Sequence, residues 1–229
     1  MTNVSPRWES AGTVQGFATS APNAVLMRWA QGHAADGRRP WLLDLGCGAA
    51  RNAAPLAGLG FRVVGHDLSA PMLAAARDRA AQTRPPVRLD LVRAPMTPLP
   101  FRDGVFDVVV AQGVWNLARS DAEFRRAIAE AARVSRPGAG LFLFTFSRAT
   151  LPPRAEPVAG ERLTFTQFGG EPQVFLTETE AVAELASAGF VQDPPGRLTE
   201  YNARSPMELR RADDVARPPV ILEGTFRRA

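Results

Sequence analysis

Between residues 40 and 147 the chain alternates short apolar runs with longer segments whose apolar positions recur at helical spacing. Trp41-Leu42-Leu43-Asp44-Leu45 is a short apolar run that ends in Gly46-Cys47-Gly48, which predicts a buried strand feeding a tight turn. Phe61 to His66 is a second strand, and Ser69-Ala70-Pro71-Met72 follows it. There Ser69 can cap a helix, with Pro71 harmless in the first turn. Val87 to Val92 and Phe106 to Ala111 are the third and fourth strands. Ser120-Asp121-Ala122-Glu123 is a capping box opening a helix through Val134. Pro137-Gly138-Ala139-Gly140 reads as a turn, and Leu141 to Phe146 as the fifth strand. This alternation predicts an α/β fold: a doubly wound, mostly parallel sheet with helices on both faces.

The flanks read differently. Residues 1–20 are polar with scattered aromatics, Trp8 and Phe17, and read as an N-terminal arm. Pro22 to Ala30 carries Val25, Leu26 and Trp29 at helical spacing, and Gly32 to Pro40 is a loop. After Ser147, Pro152, Pro153 and Pro157 mark an irregular stretch. Leu163 to Phe168 and Gln173 to Leu176 form a hairpin around Gly169-Gly170. Thr177-Glu178-Thr179-Glu180 is a second capping box, whose helix stops at Gly189. Phe190-Val191 starts another strand, residues 193–217 are rich in Pro and Arg, and Val220 to Phe226 is an antiparallel last strand.

Composition narrows the chemistry. A 229-residue chain that is 45% hydrophobic with net charge +4 builds one or two globular domains. No apolar run is long enough to span a membrane, and Pro6, Arg7, Trp8 and Glu9 interrupt any signal peptide. The expectation is a soluble, cytoplasmic protein without a membrane partner. The single cysteine, Cys47, excludes an internal disulfide and cysteine-rich metal clusters. With only His33 and His66 as histidines, no metal site is expected. All 27 basic residues are arginine, so Schiff-base and P-loop chemistry, which need an amine, are excluded. Arg125-Arg126, Arg210-Arg211 and Arg227-Arg228 suggest a nucleic-acid surface. Asp121, Glu123, Glu130, Glu208, Asp213 and Asp214 lie among the first two pairs, which favours solvated faces.

The glycine turn carries the sharpest signal. Gly46 and Gly48 allow a ligand to approach the backbone, and the helix beyond offers free N–H groups. Asp67 ends the second strand 19 residues after Gly48, where α/β nucleotide sites place a carboxylate on ribose hydroxyls. The third position of a dinucleotide G-x-G-x-x-G fingerprint holds Arg51, which argues against NAD. Asp44 puts a second carboxylate beside the turn, suited to an ammonium. A ligand joining an adenosine to an amino acid fits both acids, and S-adenosylmethionine is such a ligand.

The chain resembles the class I S-adenosylmethionine-dependent methyltransferases of small-molecule type. Leu42 to Gly48 and Val64-Gly65-His66-Asp67-Leu68-Ser69 with Met72-Leu73 carry the resemblance. So do Leu99 to Val109, with Asp103-Gly104-Val105-Phe106-Asp107, and Arg136-Pro137-Gly138-Ala139-Gly140-Leu141. Ala188-Gly189-Phe190 resembles the family's later helix–strand junction. Arg51-Asn52 is similar to the tellurite-resistance branch, and there is a further likeness to the quinone-biosynthesis branch. The resemblance implies a seven-stranded sheet and S-adenosyl-L-methionine as cofactor, with S-adenosyl-L-homocysteine as product. It implies that Asp44 approaches the methionine ammonium and that Gly46, Cys47 and Gly48 line the methionine by backbone. Asp67 would bind the ribose, Leu68 pack on adenine, and Met96 meet the adenine edge. Met72 belongs to the matched motif, and Gln112 and Gly113 would pass the methionine end. One methyltransferase domain over 1–229 is expected: arm and helix (1–39), cofactor-binding core (40–147), and substrate-side insertion with closing strands (148–229).

Three positions depart from the family pattern. Ala50 replaces the third glycine of D-x-G-x-G-x-G, and Pro95 stands where many relatives carry an adenine-binding aspartate. Pro55 lies inside the expected first helix, which must therefore start late, with Asn52 as its cap. Cys47 reads as a packing residue and His66 as a structural histidine on the face opposite Asp67's, while His33 reads as solvated. Trp115 and Asn116 follow the fourth strand at the edge where open α/β sheets bind substrates. Trp8, Phe17 and Tyr201 are candidates for a lid. The function expected is methyl transfer to a small molecule by in-line displacement, with no general base assigned. Alternatives are an S-adenosylmethionine-binding regulatory or partner protein without turnover, an RNA or protein methyltransferase, and an aminopropyl transferase, which the acid-free Gln112-Gly113-Val114-Trp115 disfavours. Monomer and homodimer both stay open.

Overall fold

The computed structural model describes residues 5–34, 38–203 and 218–229. Their contacts divide the chain into two units, one running to Val110 with Arg133–Ala139, the other Ala111–Ala132 with Gly140–Ala229.

The first unit begins with a 3-10 turn, Pro6–Glu9, then α1 (Ala11–Thr19) and α2 (Ala24–Ala34). The predicted arm is thus largely helical, because Ser10 accepts a hydrogen bond from Thr13 N–H and caps α1. The predicted loop from Gly32 also starts late. His33 sits on the last turn of α2, its ring 4.5 Å from that of Trp29 one turn earlier.

The strands β1 (Trp41–Leu45), β2 (Arg62–Asp67) and β3 (Asp90–Arg93) pair in parallel, with Asp44 opposite Gly65 and Asp67 opposite Arg93. Leu42 to Leu45 are buried at every position, as a strand covered on both faces requires. Helix α3 (Ala53–Gly58) does start late. Pro55 therefore falls in its first turn, where the missing N–H costs no intrahelical bond. Asn52 precedes α3, but its side chain makes no capping bond; its Oδ1 accepts instead from Asn23 N–H at 3.0 Å. Ser69 caps α4 (Ala70–Gln82), with Pro71 in the first turn. β4 (Phe106–Gln112) begins in this unit, where Asp107 Oδ2 accepts from Trp41 N–H at 2.8 Å.

The second unit holds a 3-10 turn at Trp115–Leu117 and most of α5 (Asp121–Val134) and β5 (Ser135–Phe146). β5 runs straight through the predicted turn at Pro137–Gly140, with the positive φ of 80° at Gly138 taken up inside the strand. The hairpin around Gly169-Gly170 is present but short: β6 (Thr164–Phe165) pairs antiparallel with β7 (Gln173–Val174). α6 (Glu178–Ser187) carries a complete capping box between Thr177 and Glu180. β8 (Phe190–Gln192), the unforeseen β9 (Thr199–Tyr201) and β10 (Ile221–Arg228) complete the chain. β10 lies antiparallel to β5, with Gly224 opposite Leu143, and β8 and β9 both pair with β10. The hydrogen-bonded strand order is β3-β2-β1-β4-β5-β10-β8, a mostly parallel, Rossmann-like mixed sheet with an antiparallel last strand.

One carboxylate fastens the segment after β5. Asp121 accepts from Arg162 N–H (2.9 Å), Leu163 N–H (3.1 Å) and Thr164 Oγ1 (2.9 Å), while its own N–H donates to Glu161 (2.7 Å). Burial pushes its pKa up, but the bonds from Arg162, Thr164 and Leu163 outweigh this and hold it below the usual value. Asp121→Ala is expected to cost about 2 kcal/mol, since the donors it serves lose their partner. Urea unfolding of the variant checks this, and unchanged stability refutes it.

Candidate functional site

The glycine turn adopts left-handed backbone at alternate residues: Gly46 (φ 64°), Gly48 (φ 52°) and Ala50 (φ 57°). Ala50 therefore holds the conformation of the family's third glycine at the modest strain an alanine bears there. The turn is tied to β2 at both ends. Cys47 N–H donates to His66 O at 2.9 Å, and Gly48 N–H donates to Asp67 Oδ2 at 2.9 Å. Asp67 Oδ1 accepts from Ser69 N–H at 2.8 Å. The carboxylate is thus oriented by two backbone donors. Each oxygen retains acceptor capacity for a hydroxyl.

Asp44 is 2% exposed, and its Oδ2 has no hydrogen-bond partner. Burial raises its pKa to about 7; Arg51 pulls it down, Asp67 pushes it up, and the Ala53 N–H lowers it. A buried carboxylate with an unused oxygen is suited to receive a cation, and an α-ammonium supplies both charge and N–H donors. Cys47 is buried, and burial followed by the charges of Asp44 and Asp67 raises its thiol pKa. A Cβ on Gly65 would stand 2.9 Å from its sulfur and 2.8 Å from Leu91 Cδ2, so glycine at 65 makes room for the turn. The thiol packs there as a small apolar group.

The arm covers this turn. Phe17 Cδ1 and Met72 Sδ lie 3.6 and 3.8 Å from where a Cβ on Gly48 would stand. Trp8 and Phe17 meet edge to face at 5.8 Å. They line a cavity of about 450 Å³ together with Arg7 and Arg51. The Arg51 guanidinium sits 5.9 Å over the Phe17 ring. Arg79 fastens the end of α1 by donating to the carbonyls of Phe17, Ala18 and Ser20 at 2.8–3.2 Å. Ser69 Oγ donates to Trp8 O at 3.1 Å. Arg79 and the cavity's Arg7 escaped the sequence reading. In the sequence each is one more arginine on a polar face.

The first unit thus brings together Asp44, Gly46, Cys47, Gly48, Asp67 and Met72. Leu68 is half-buried, with its carbonyl accepting from Arg93 Nε at 3.0 Å, and Met96 is half-buried in the segment after β3. His66 is buried, and Nε2–H donates to Pro95 O at 3.0 Å while Nδ1 has no partner. Burial lowers its pKa. Gln112 and Gly113 belong to the second unit, where Gly113 (φ 69°) donates its N–H to Phe144 O at 2.8 Å.

Tyr201, the other lid candidate, belongs to the second unit. Its hydroxyl donates to Glu223 at 2.6 Å, which docks β9 on β10. Arg125 pairs with Glu184 at 2.7 Å and Arg227 with Asp193 at 3.2 Å, so these arginines sit among acids. Arg210-Arg211, with Glu208, Asp213 and Asp214, lie outside the described residues, as does the rest of 204–217. Among the described residues no His/Cys/Asp/Glu group could hold a metal ion, and no helix is long and apolar enough to cross a membrane.

Residues 43–143 match the family model of a methyltransferase domain. A demethylmenaquinone methyltransferase from Mycolicibacterium vanbaalenii is 33% identical over 165 residues, covering 65% of this chain and 67% of that protein. The chain spans less than half the length of the next curated relatives, 43% and 46%. In fold it is similar to a SAM-dependent methyltransferase from Methanosarcina mazei, with a TM-score of 0.70 and 22% identity over 91% of this chain and 99% of that one. It is also similar to the 1,6-didemethyltoxoflavin-N1-methyltransferase of Burkholderia thailandensis, solved with its acceptor and S-adenosylhomocysteine. That TM-score is 0.60, at 21% identity over 100% of this chain and 92% of that one. With the glycine turn and its two flanking carboxylates in place, this chain belongs to the class I S-adenosylmethionine-dependent methyltransferases.

Proposed function

We propose that the protein methylates a small-molecule acceptor in the cytoplasm, working as a single methyltransferase domain. The observation that carries this is the pair of acids flanking the glycine turn: Asp67 held ready by Gly48 and Ser69, and Asp44 buried with one oxygen unused. Asp44 receives the ammonium of the methionine end, Gly46, Cys47 and Gly48 line it by main chain, and Asp67 accepts from the ribose hydroxyls. Leu68 and Met96 serve the adenine, and Met72 supports the turn from α4.

S-adenosylmethionine held by Asp44, Asp67 and the glycine turn would supply a methyl group already activated on a sulfonium, open to in-line displacement by the acceptor. The protein's part is to align and to exclude water, and positioning alone supplies roughly 7–11 kcal/mol. The names of the relatives support a small planar acceptor. They do not support a nucleic acid.

Thermal unfolding with S-adenosylhomocysteine, S-adenosylmethionine and NAD tests the cofactor. Ligand at 100 times its dissociation constant stabilises by ~2.7 kcal/mol, or roughly 5–11 °C for a chain of this size. The two sulfur ligands are expected to give this shift and NAD none; the absence of any shift at millimolar ligand would sink the reading. A radiolabelled-methyl screen then finds the acceptor, and label entering only RNA or protein would overturn the small-molecule assignment.

A further inference from the structure

Among the described residues six buried side-chain polar atoms have no hydrogen-bond partner, and four belong to the second unit: Trp115 Nε1, Asn116 Oδ1, Thr145 Oγ1 and Gln173 Oε1. The four residues are 1, 1, 1 and 8% exposed, so all are withdrawn from solvent. A buried polar atom without a partner opposes folding, and each one needs a reason to be there.

Backbone and packing contacts tie the four to one neighbourhood. Gly113 N–H bonds Phe144 O, which sets the end of β4 beside Thr145. Asn116 Oδ1 lies 4.0 Å from where a Cβ on Gly113 would stand. β7, which carries Gln173, packs against the Trp115–Leu117 turn. Gln173 and Phe175 share a face of their extended segment. Phe175 meets Phe146 and Phe168 at 5.6 and 5.9 Å.

We infer that Trp115, Asn116, Thr145 and Gln173 form the acceptor-recognition face, and that it selects a small aromatic whose polar edge mainly donates hydrogen bonds. This rests on the methyltransferase reading and deepens it. Two carboxamide oxygens seek donors, one indole N–H seeks an acceptor, and a hydroxyl serves as either. A ring with two O–H groups satisfies the set, because a hydroxyl oxygen also accepts from Trp115. A fully oxidised quinone offers acceptors alone and leaves both amide oxygens unserved. The phenylalanines supply apolar wall for the ring.

Calorimetric titration of 2,3-dihydroxynaphthalene, 2,3-dimethoxynaphthalene and 1,4-naphthoquinone, with and without S-adenosylhomocysteine, tests this. The diol is expected to bind at least about tenfold more tightly than the other two. Asn116→Leu and Gln173→Leu are each expected to weaken the diol at least about tenfold. Both should leave S-adenosylhomocysteine binding within about twofold. Because each removes an unserved polar atom, the thermal midpoint should hold or rise by roughly 2–4 °C, as it should in Thr145→Val. A structural role would lower it. Equal binding of the three probes, no diol binding at millimolar concentration, or variants that bind the diol like the parent would each overturn the inference. Failure of S-adenosylhomocysteine itself to bind strikes the cofactor reading instead, and the arm run without it keeps the two apart.

Discussion

Asp44→Asn is expected to stabilise the ligand-free protein at pH 8 by about 1–3 kcal/mol while weakening S-adenosylhomocysteine by roughly 10–150-fold. The carboxyl has a pKa of about 7 in the folded protein against the ordinary aspartate value of 3.8. A difference of about three units is worth on the order of 4 kcal/mol. The folded value is the higher one, so its contribution to stability is fully present below pH ~4 and is lost as pH rises towards 7. Above 7 the parent holds a buried anion that opposes folding. Asparagine never ionises, and its imperfectly bonded amide returns about 1–3 kcal/mol of the gain.

The parent and variant stability curves should therefore diverge between about pH 4 and 7, with the variant above the parent at pH 8. Ligand binding should run the other way. The parent's affinity falls below pH 7 as Asp44 takes up a proton, whereas the variant's is weak and flat. Urea unfolding and calorimetry across that range read both quantities. A variant less stable than the parent at every pH, with unchanged affinity, would show that Asp44 is a structural acid.

Asp67→Ala should remove most of the ligand's thermal protection. The lost charge-assisted bonds are worth ~1.5–3 kcal/mol, which is roughly 10–150-fold in affinity. Ligand at 100 times the parent's dissociation constant would then add only about 0.3–1.4 kcal/mol. The same substitution frees the N–H groups of Gly48 and Ser69, so a ligand-free loss of about 1 kcal/mol accompanies it. Asp67→Asn separates the two effects, since its carbonyl still accepts one backbone bond but carries no charge. Full ligand protection in Asp67→Ala would remove the ribose role from this residue and leave it as a brace for the turn.

Much of the scaffold is legible along the chain because its causes are local. Ser69 with Pro71, and Thr177 with Glu180, write helix starts within a single turn of sequence. The apolar run Trp41–Leu45 and the glycines after it specify a buried strand and a left-handed turn without reference to anything distant. Asp67 was identifiable for a related reason: parallel pairing of successive strands places the end of β2 beside the turn after β1. Boundaries were less legible where pairing sets them. β3 begins at Asp90 where pairing with β2 starts, although the apolar run begins at Val87. β5 absorbs Gly138 because a strand can bend around one positive φ.

Sequence by itself determined the α/β alternation, the caps of α4 and α6, the glycine turn and the pair of acids around it. All of these arise from residue types acting on their near neighbours. Tertiary structure decided the rest. Burial, with the charge of Asp67 beside it, raises the Asp44 pKa to about 7, and one carboxyl oxygen is left unserved. Arg79 reaches three carbonyls some 60 residues away to close the arm onto the turn. Trp115, Asn116, Thr145 and Gln173 acquire a common meaning only when folding takes their polar atoms out of water. Desolvation depends on which distant segments pack together, and no local pattern encodes it.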